Sequence, residues 1–398
     1  VGYVIHPSAK VEMQEPAKNL AKEAWMGHIS ASVKEARSRR VRAMKIDDIP
    51  AIRALFKQVF RPRSASCNEN FDRYFQQLFF ENPYYDPAIG SVVHENELGE
   101  IDSAVSILPV PYTVNGQSIM GRLLCAFMMK PGGAPRGPAE LTLALRPGEE
   151  TIQFSDSAAP VSLRHFEAVG GISLTTYALG WTRIFKPASY AANFVAQRRP
   201  ILGWWVTAPV GRMLNPLFPF PPVENAAKSR ATVKEIARDE AVSLIPGLLQ
   251  SYAAHPAWTG PDLNWLLGMA ADNRAAGTLR LLSIEDRAGI PIGFLCFYSQ
   301  SNGVAEVLNV IAKSGGERQA VDAMLLYFQQ EGYVAAQGRV EPRYLAALSQ
   351  QPGMFFRHRA NVCIGTTRVE FLNAAQRNDI FIGGLAGEGW SRLSTDFF

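Results

Sequence analysis

The chain has few metal-ligating residues, and none in a ligating pattern. Its six histidines are scattered without HxxxH or HxH spacing, and Cys67, Cys125, Cys296 and Cys363 form no CxxC pair. No metal site is therefore expected. No secretory signal peptide is visible, so the cysteines are expected to be reduced and buried in a cytoplasmic protein. No apolar run reaches the roughly 18 residues that span a bilayer. Excess basic charge is also scarce. A net charge of +4 falls well short of a nucleic-acid footprint. The one basic cluster, RSRRVR at 37–42, reads as a solvated helix end.

What is present is ordinary globular material. With 398 residues, 47% hydrophobic and 19% charged, the chain suits two domains or more. Residues 1–40 are polar and helix-prone and read as an amphipathic arm. A short strand from Val41 to Met44 leads through an Asp-Asp turn into a helix carrying Ile49, Ile52, Leu55, Phe56 and Val59 on one face. A second helix covers 71–83. Strands follow at 89–96, at 101–115 with a break at its two prolines, and at 118–130, the last two joined by an Asn115-Gly116 turn. Beyond a Gly/Pro-rich loop and its helix come a strand at 150–157, a helix at 160–171 and a strand at 172–185.

The second half repeats this β-α-α-β-β-β-α-β-α-β order. It runs from a strand at 231–236 through two helices, strands at 278–286, 291–300 and 304–313, and a helix at 317–332 closed by Gly332. A strand, a helix and a final strand, ANVCIGTT, complete it. The expected organisation is an arm at 1–40, an N-terminal domain at 41–197, an apolar Pro/Trp-rich linker at 198–230 and a C-terminal domain at 231–398. Residues 198–223 of the linker carry Trp204, Trp205, Leu217, Phe218 and Phe220. They read either as a packed interdomain segment or as a lid over an acyl chain in peripheral contact with a membrane.

The stretch KPGGAPRGPAELTLAL at 130–145 follows the apolar run RLLCAFMM and opens a helix. Strand, glycine-rich turn and helix form the layout of an anion cradle. Pro135 and Pro138 each remove a backbone donor from it.

The element order, with this Gly/Arg turn after the fourth strand, resembles the GCN5-related N-acetyltransferase superfamily, in two tandem copies. IDSAVSILPVPYTVNGQSIMG, FEAVGG, GRVEPR, NDIFIGG and GEGW resemble a tandem acyltransferase-like group within it. The resemblance implies an α/β (α+β) class with a twisted mixed sheet flanked by helices in each copy. It also implies an acyl-CoA or acetyl-CoA co-substrate lying between the fourth and fifth strands. The resemblance would assign donor binding to the loop around Gly133, Arg136, Gly137 and Ala139, and carbonyl polarisation to a backbone N–H near Phe127, Met128 or Met129. Catalytic candidates are Asp156 and Ser157 at the end of the fifth strand, with His165 and Tyr177 nearby. Asp156 reads equally as the cap of the next helix. Phe166 stands where the family often has an acidic tyrosine. In the second copy, Ser314-Gly315-Gly316 supplies a proline-free loop, and Glu341 reads either as a carboxylate in a cleft or as a salt-bridged strand end.

The expected function is transfer of an acyl group from CoA or an acyl carrier protein to an amine on a small molecule or lipid precursor, with a long acyl chain in view. No metal and no nucleic acid takes part. The alternative is a catalytically degenerate binding or scaffold protein of the same fold, holding a carrier, a lipid or a partner protein.

Overall fold

Asn115 and Gly116 fix the register of the first hairpin. The structure is a computed structural model that describes residues 40–62, 69–148, 151–198, 204–219, 221–223 and 231–395. The two turn residues take φ of 48° and 81°, the type I′ geometry that matches strand twist. Strands β3 (Ile101–Val114) and β4 (Gln117–Met129) therefore pair from Val114↔Gln117 to Ser103↔Met129. β3 does not break at Pro109 and Pro111. Their missing N–H groups fall on the edge away from β4, between the end of one neighbouring strand at Val105 and the start of another at Tyr112, so no ladder bond is lost.

Around this hairpin the first sheet has the order β1 (Val41–Ala43), β2 (Val92–Glu95), β3, β4, β5 (Thr151–Ala158), β15 (Asn361–Gly365), β6 (Ile172–Ser173), with β9 (Ala254–Pro256) beside β3. The second sheet, read in the matching direction, runs β8 (Thr232–Glu235), β10 (Thr278–Glu285), β11 (Pro291–Ser299), β12 (Val304–Ala312), β13 (Ala335–Arg339), β7 (Leu179–Ile184), β14 (Met354–His358). Position for position the sheets correspond, and each has one parallel pair, β4–β5 and β12–β13.

The sequence order conceals an exchange. β7 comes from the first half yet sits between β13 and β14 of the second sheet, while β15 comes from the second half and pairs with β5 and β6 of the first. The single strand expected over 172–185 is accordingly two: β6 stays in the first sheet, and the chain crosses at 174–178 to enter the second. β14 is an additional strand that the sequence reading did not contain.

Helices α1 (Ile49–Phe60) and α2 (Glu69–Phe79) pack on one face of the first sheet, α1 through Ile49, Ile52, Leu55 and Phe56 as the spacing predicts. One core draws on both halves, with Tyr112, Phe154, Leu248, Phe294 and Trp390 in the same cluster. Helices α3 (Arg136–Ala144) and α4 (Pro160–Ala168) flank the first sheet's opening. The expected linker contains structure: α5 (Pro187–Arg198) precedes it and α6 (Trp204–Leu214) lies within it. Gly211 lets α6 approach Ser189 and Ala192 closely, and Asn215 Nδ2 donates to Ser189 Oγ at 2.7 Å. Val210, Met213, Leu214 and Leu217 are exposed at helical spacing. No described helix is long and apolar enough to cross a membrane. The arm expected at 1–40, apart from Arg40, lies outside the described residues, as do Cys67 and the side chains of Trp204 and Trp205.

Because β5 receives its outer neighbour from residues 361–365, residues 40–198 produced alone should expose the β5 edge and aggregate. Co-expression with residues 199–398 should return a soluble complex on size-exclusion chromatography.

Candidate active site

β4 and β5 pair only from Met120↔Thr151 to Leu123↔Phe154. Beyond that point β4 continues along β3 and β5 along β15, so the two strands part. At the same place β4 carries a bulge: Ser106 faces Ala126 and Ile107 faces Leu124, which leaves Cys125 as the extra residue. With β3 on one side only, alternate N–H groups of β4 past Leu123 face the gap and not a strand. The second sheet repeats the geometry. β12 and β13 pair only to Val307↔Gly338, and Leu308 is the bulged residue.

The two gaps differ in content. The first opens into a cavity of about 280 Å³. Its walls include Leu124, Cys125 and Phe127 of β4, Gln153, Ser155 and Ser157 of β5, Thr142 on α3 and Leu145 just past its end, and Val161, Ser162, His165 and Phe166 on α4. The second gap is filled by Trp181, Met324, Tyr344 and Glu341, leaving about 20 Å³. The proline-free loop Lys313–Gly316 thus leads to no open cleft.

One carboxylate in the first cavity comes from the far end of the chain. Glu388 lies on the tail that follows helix α11 (Val369–Gln376), and it accepts a hydrogen bond from Ser157 Oγ and lies against the Cys125 thiol. Burial, with Asp156 adding to it, pushes the Glu388 carboxyl well above the usual carboxylate range, and the Arg339 charge opposes this only in part. Burial and the same two carboxylates push the Cys125 thiol up.

Asp156 faces away from the cavity and holds this tail. Its Oδ1 accepts the Glu388 N–H at 3.1 Å, its own carbonyl accepts from Arg339 Nη2, and the Arg339 guanidinium stands 3.9 Å from its Oδ2. A Cβ on Gly387 would overlap the Asp156 carboxylate, so the GEGW sequence needs glycine there for close approach. Asp156 is not the cap of α4, whose N-cap is Ala159.

The remaining sequence candidates separate into cavity and non-cavity groups. Ser157 and His165 line the cavity. Thr142 Oγ1 donates to Pro138 O at 2.7 Å and lies 2.9 Å from His165 Nδ1. The threonine's single proton is thereby used, so Nδ1 carries the ring proton and Nε2 keeps its lone pair. Burial first, and the Arg164 charge second, hold His165 below the ordinary histidine pKa. Tyr177 is buried in the core, donates to Ile380 O at 3.1 Å, and does not line the cavity. Phe127 lines the cavity, Met128 points into the opposite core, and Met129 is exposed at the strand end.

The Gly/Pro loop is a turn closed by Gly133 N–H on Lys130 O at 2.8 Å, with Gly132 at φ 75°. Pro138 has no N–H, and Ala139, which is exposed, donates to Pro135 O at 3.3 Å. Only Arg136 and Gly137 thus keep first-turn donors free of the helix. Gly137 is glycine because α3 rests on β2 and β3, where a Cβ would come within 2.9 Å of Asp102 Oδ1 and 3.0 Å of His94 Nδ1. Glu140 turns inward, 3.2 Å from His94 Nε2, and pairs with Arg136 Nε at 2.7 Å.

Glu388, within the GEGW stretch, lines the cavity but is not among the sequence candidates. Its only sequence signal was an acid between two glycines at the end of a buried tail. Among the described residues no group of His, Cys, Asp and Glu could hold a metal ion.

Solved structures resemble the chain over most of its length. A conserved protein of unknown function from Enterococcus faecalis V583, a probable N-acyltransferase, superposes with TM-score 0.53 at 12% identity, covering 81% of this chain and 71% of that one. GCN5-related N-acetyltransferases from Kribbella flavida and Anabaena variabilis ATCC 29413 both give TM-score 0.50, at 12% and 11% identity, each over 82% of this chain and 70% and 72% of theirs. No family model and no curated protein matches the chain. The chain therefore has the GCN5-related N-acetyltransferase fold.

Gly387→Ala should destabilise the protein by about 1–3 kcal/mol in urea unfolding, the usual cost of overpacking. In an Asp156→Ala background the same change should cost markedly less, because the carboxylate it strikes is gone.

Proposed function

We propose that the cleft of the first sheet transfers an acyl group from a thioester, acyl-CoA or an acyl carrier protein, to an amine, with Glu388 as general base. The observation that carries this reading is a carboxyl of raised pKa at the wall of an apolar cavity, beside the bulge of a splayed strand. The amine nitrogen attacks the thioester carbonyl, the C–S bond breaks, and an amide and a free thiol result. Glu388 in its ionised form takes the amine proton. Its raised pKa lets it hold that proton and pass it to the leaving thiolate, so the reaction needs no separate acid, neither Tyr177 nor a tyrosine where Phe166 stands. Backbone N–H groups of β4 facing the gap would stabilise the developing oxyanion. Gln153 has a buried amide nitrogen without a partner among the described residues and lines the same cavity, so a carbonyl of the acyl-pantetheine arm would satisfy it.

The cavity suits a chain longer than acetyl, because Val, Leu, Phe and Ala together make up most of its walls. The loop is the weaker part of the fit. Two free backbone donors and the outer nitrogens of Arg136 would meet the pyrophosphate. That shortage of donors is the observation favouring a second reading, a binding module that retains the pocket without turnover.

Calorimetric titration with acyl-CoA of increasing chain length tests the pocket. Each methylene should tighten binding about fourfold, from about 0.8 kcal/mol per buried CH₂, until the cavity is full. Failure to bind both acetyl-CoA and a long-chain acyl-CoA would remove the CoA-dependent reading. Arg136→Ala should raise the donor's Kd, and an unchanged Kd would make the loop a turn only.

Glu388→Gln should lower kcat by about 10²–10⁴, measured as CoA release with a panel of amines, and leave donor Kd unchanged. In the wild type, turnover should fall as pH drops through the raised pKa of Glu388, at a pH well above the ordinary carboxylate value. The same loss of turnover with an unchanged profile in Glu388→Gln would contradict this assignment, and binding without turnover would favour the module reading.

A further inference from the structure

The closed gap of the second sheet contains polar groups that the proposed reaction does not use. Asn309, on β12 next to the bulged Leu308, is buried. Its Oδ1 accepts the Leu385 N–H at 2.6 Å, and its Nδ2 donates to Glu341 Oε1 at 3.1 Å. Glu341 Oε2 accepts from Tyr252 OH at 2.9 Å. The flanking arginines do not salt-bridge Glu341: Arg339 serves Asp156, and Arg343 pairs with Asp379 and stacks 3.7 Å above the Tyr252 ring. The strand-end salt bridge considered from sequence is thus absent, and the carboxylate sits in the cleft.

The tail that carries Glu388 is therefore pinned at two backbone N–H groups three residues apart. Leu385 is held by Asn309 at the second sheet's gap, and Glu388 by Asp156 at the first sheet's gap. Between them lie Ala386 and Gly387, and just before them Gly383 and Gly384 take φ of 95° and 57°. A single 3₁₀ turn, Gly384–Ala386, closed by Ala386 N–H on Gly383 O and Gly387 N–H on Gly384 O, joins the two pins, so a shift at Leu385 is passed on to Glu388.

We propose that Asn309 and Glu341 are positioning residues for Glu388, so that the vestigial cleft of the second copy sets the carboxylate of the first. This rests on Glu388 acting in the first cleft. Asn309 must present its carbonyl to Leu385, and Glu341 fixes that orientation by accepting from the amide nitrogen. Gln at 341 would offer one acceptor to two donors, Tyr252 and Asn309, and would free Asn309 to turn.

The groups facing Glu341 are Tyr252 before β9, Tyr344 on α10 (Pro342–Ser349), Tyr177, Arg343 and Asn309. Burial pushes the carboxyl up to about 7, against the hydrogen bonds from Tyr252 and Asn309 and the Arg343 charge. The ionised form accepts from both donors. Protonation introduces a donor among donors and loosens the grip on Asn309, so the pin should weaken as pH falls through neutrality.

Cys125 reports on the position of Glu388 without any need to know the acceptor amine. The neighbouring carboxylate suppresses the thiolate, so alkylation of Cys125 by iodoacetamide, mapped by peptide mass spectrometry, should be slow in the wild type. Glu388→Gln should speed it about tenfold, equivalent to one pKa unit of the thiol. Asn309→Ala and the isosteric Glu341→Gln should each speed it about threefold or more, and neither should add to the effect of Glu388→Gln in the double variants. Above about pH 8, where Glu341 is ionised, the wild type should be alkylated more slowly than Glu341→Gln.

Unchanged alkylation in Asn309→Ala and Glu341→Gln, with Glu388→Gln still raising it, would overturn the positioning role and leave the role of Glu388 standing. An effect of Asn309→Ala that persists in full in the Glu388→Gln background would mean general loosening and would also overturn it. If Glu388→Gln itself changes neither alkylation nor turnover, the assignment of Glu388 fails first.

Discussion

The structure depends on one constraint: β5 has no outer neighbour of its own and must take β15 from residues about two hundred positions away. That pairing, from Asn361↔Ala158 to Gly365↔Gln153, brings the end of the chain to the first sheet. The segment after β15 then runs along the junction of the halves. It passes Tyr112 and Tyr177, whose hydroxyls it accepts at Phe381 and Ile380, then Asn309 and Asp156, before Trp390 is buried against Trp265. Glu388 reaches the first cavity only because of this route.

The two copies show how one backbone plan supports different outcomes. Both have the short parallel pair, the gap and the bulge. In the first, small and apolar side chains leave the gap open, and α4 stands back across Thr142 and His165. In the second, Trp181, Tyr344 and Glu341 occupy the gap, and Tyr344 OH accepts the Ala312 N–H at 2.8 Å, where a ligand would need that donor. A better loop for anions is of no use when the cleft behind it is full. The copy with the weaker loop keeps the room.

Much of the fold could be read along the chain. The buried face of α1, the Asn115-Gly116 turn and the repeated element order all rest on local spacing, which a sequence displays directly. Pro109 and Pro111 misled because a strand break was inferred from residue type, whereas what matters is which edge their missing N–H groups face. The exchange of β7 and β15 left no local mark, since both look like ordinary closing strands of their own halves. Of the candidates named from the sequence, Ser157 and His165 line the cavity, whereas Asp156 lies behind it and holds the Glu388 backbone. The glycine of the loop at 137 was read toward phosphate, but it answers to helix packing on His94 and Asp102. Glu388 could not be found by spacing, because its neighbours Ser157 and Asp156 are 231 and 232 residues away in sequence.

The exchange also has a consequence on the ribosome. Asn361 Nδ2 bonds Ala158 O across 203 residues. At about 5–20 residues per second, β5 waits on the order of 10–40 s after its own synthesis before its partner strand exists. During that interval the nascent first half presents an unpaired edge, and β7 has emerged with no second sheet to join. Folding of the first sheet is therefore tied to the synthesis of residues 361–365, and a pause or truncation before them would harm the half that was made first.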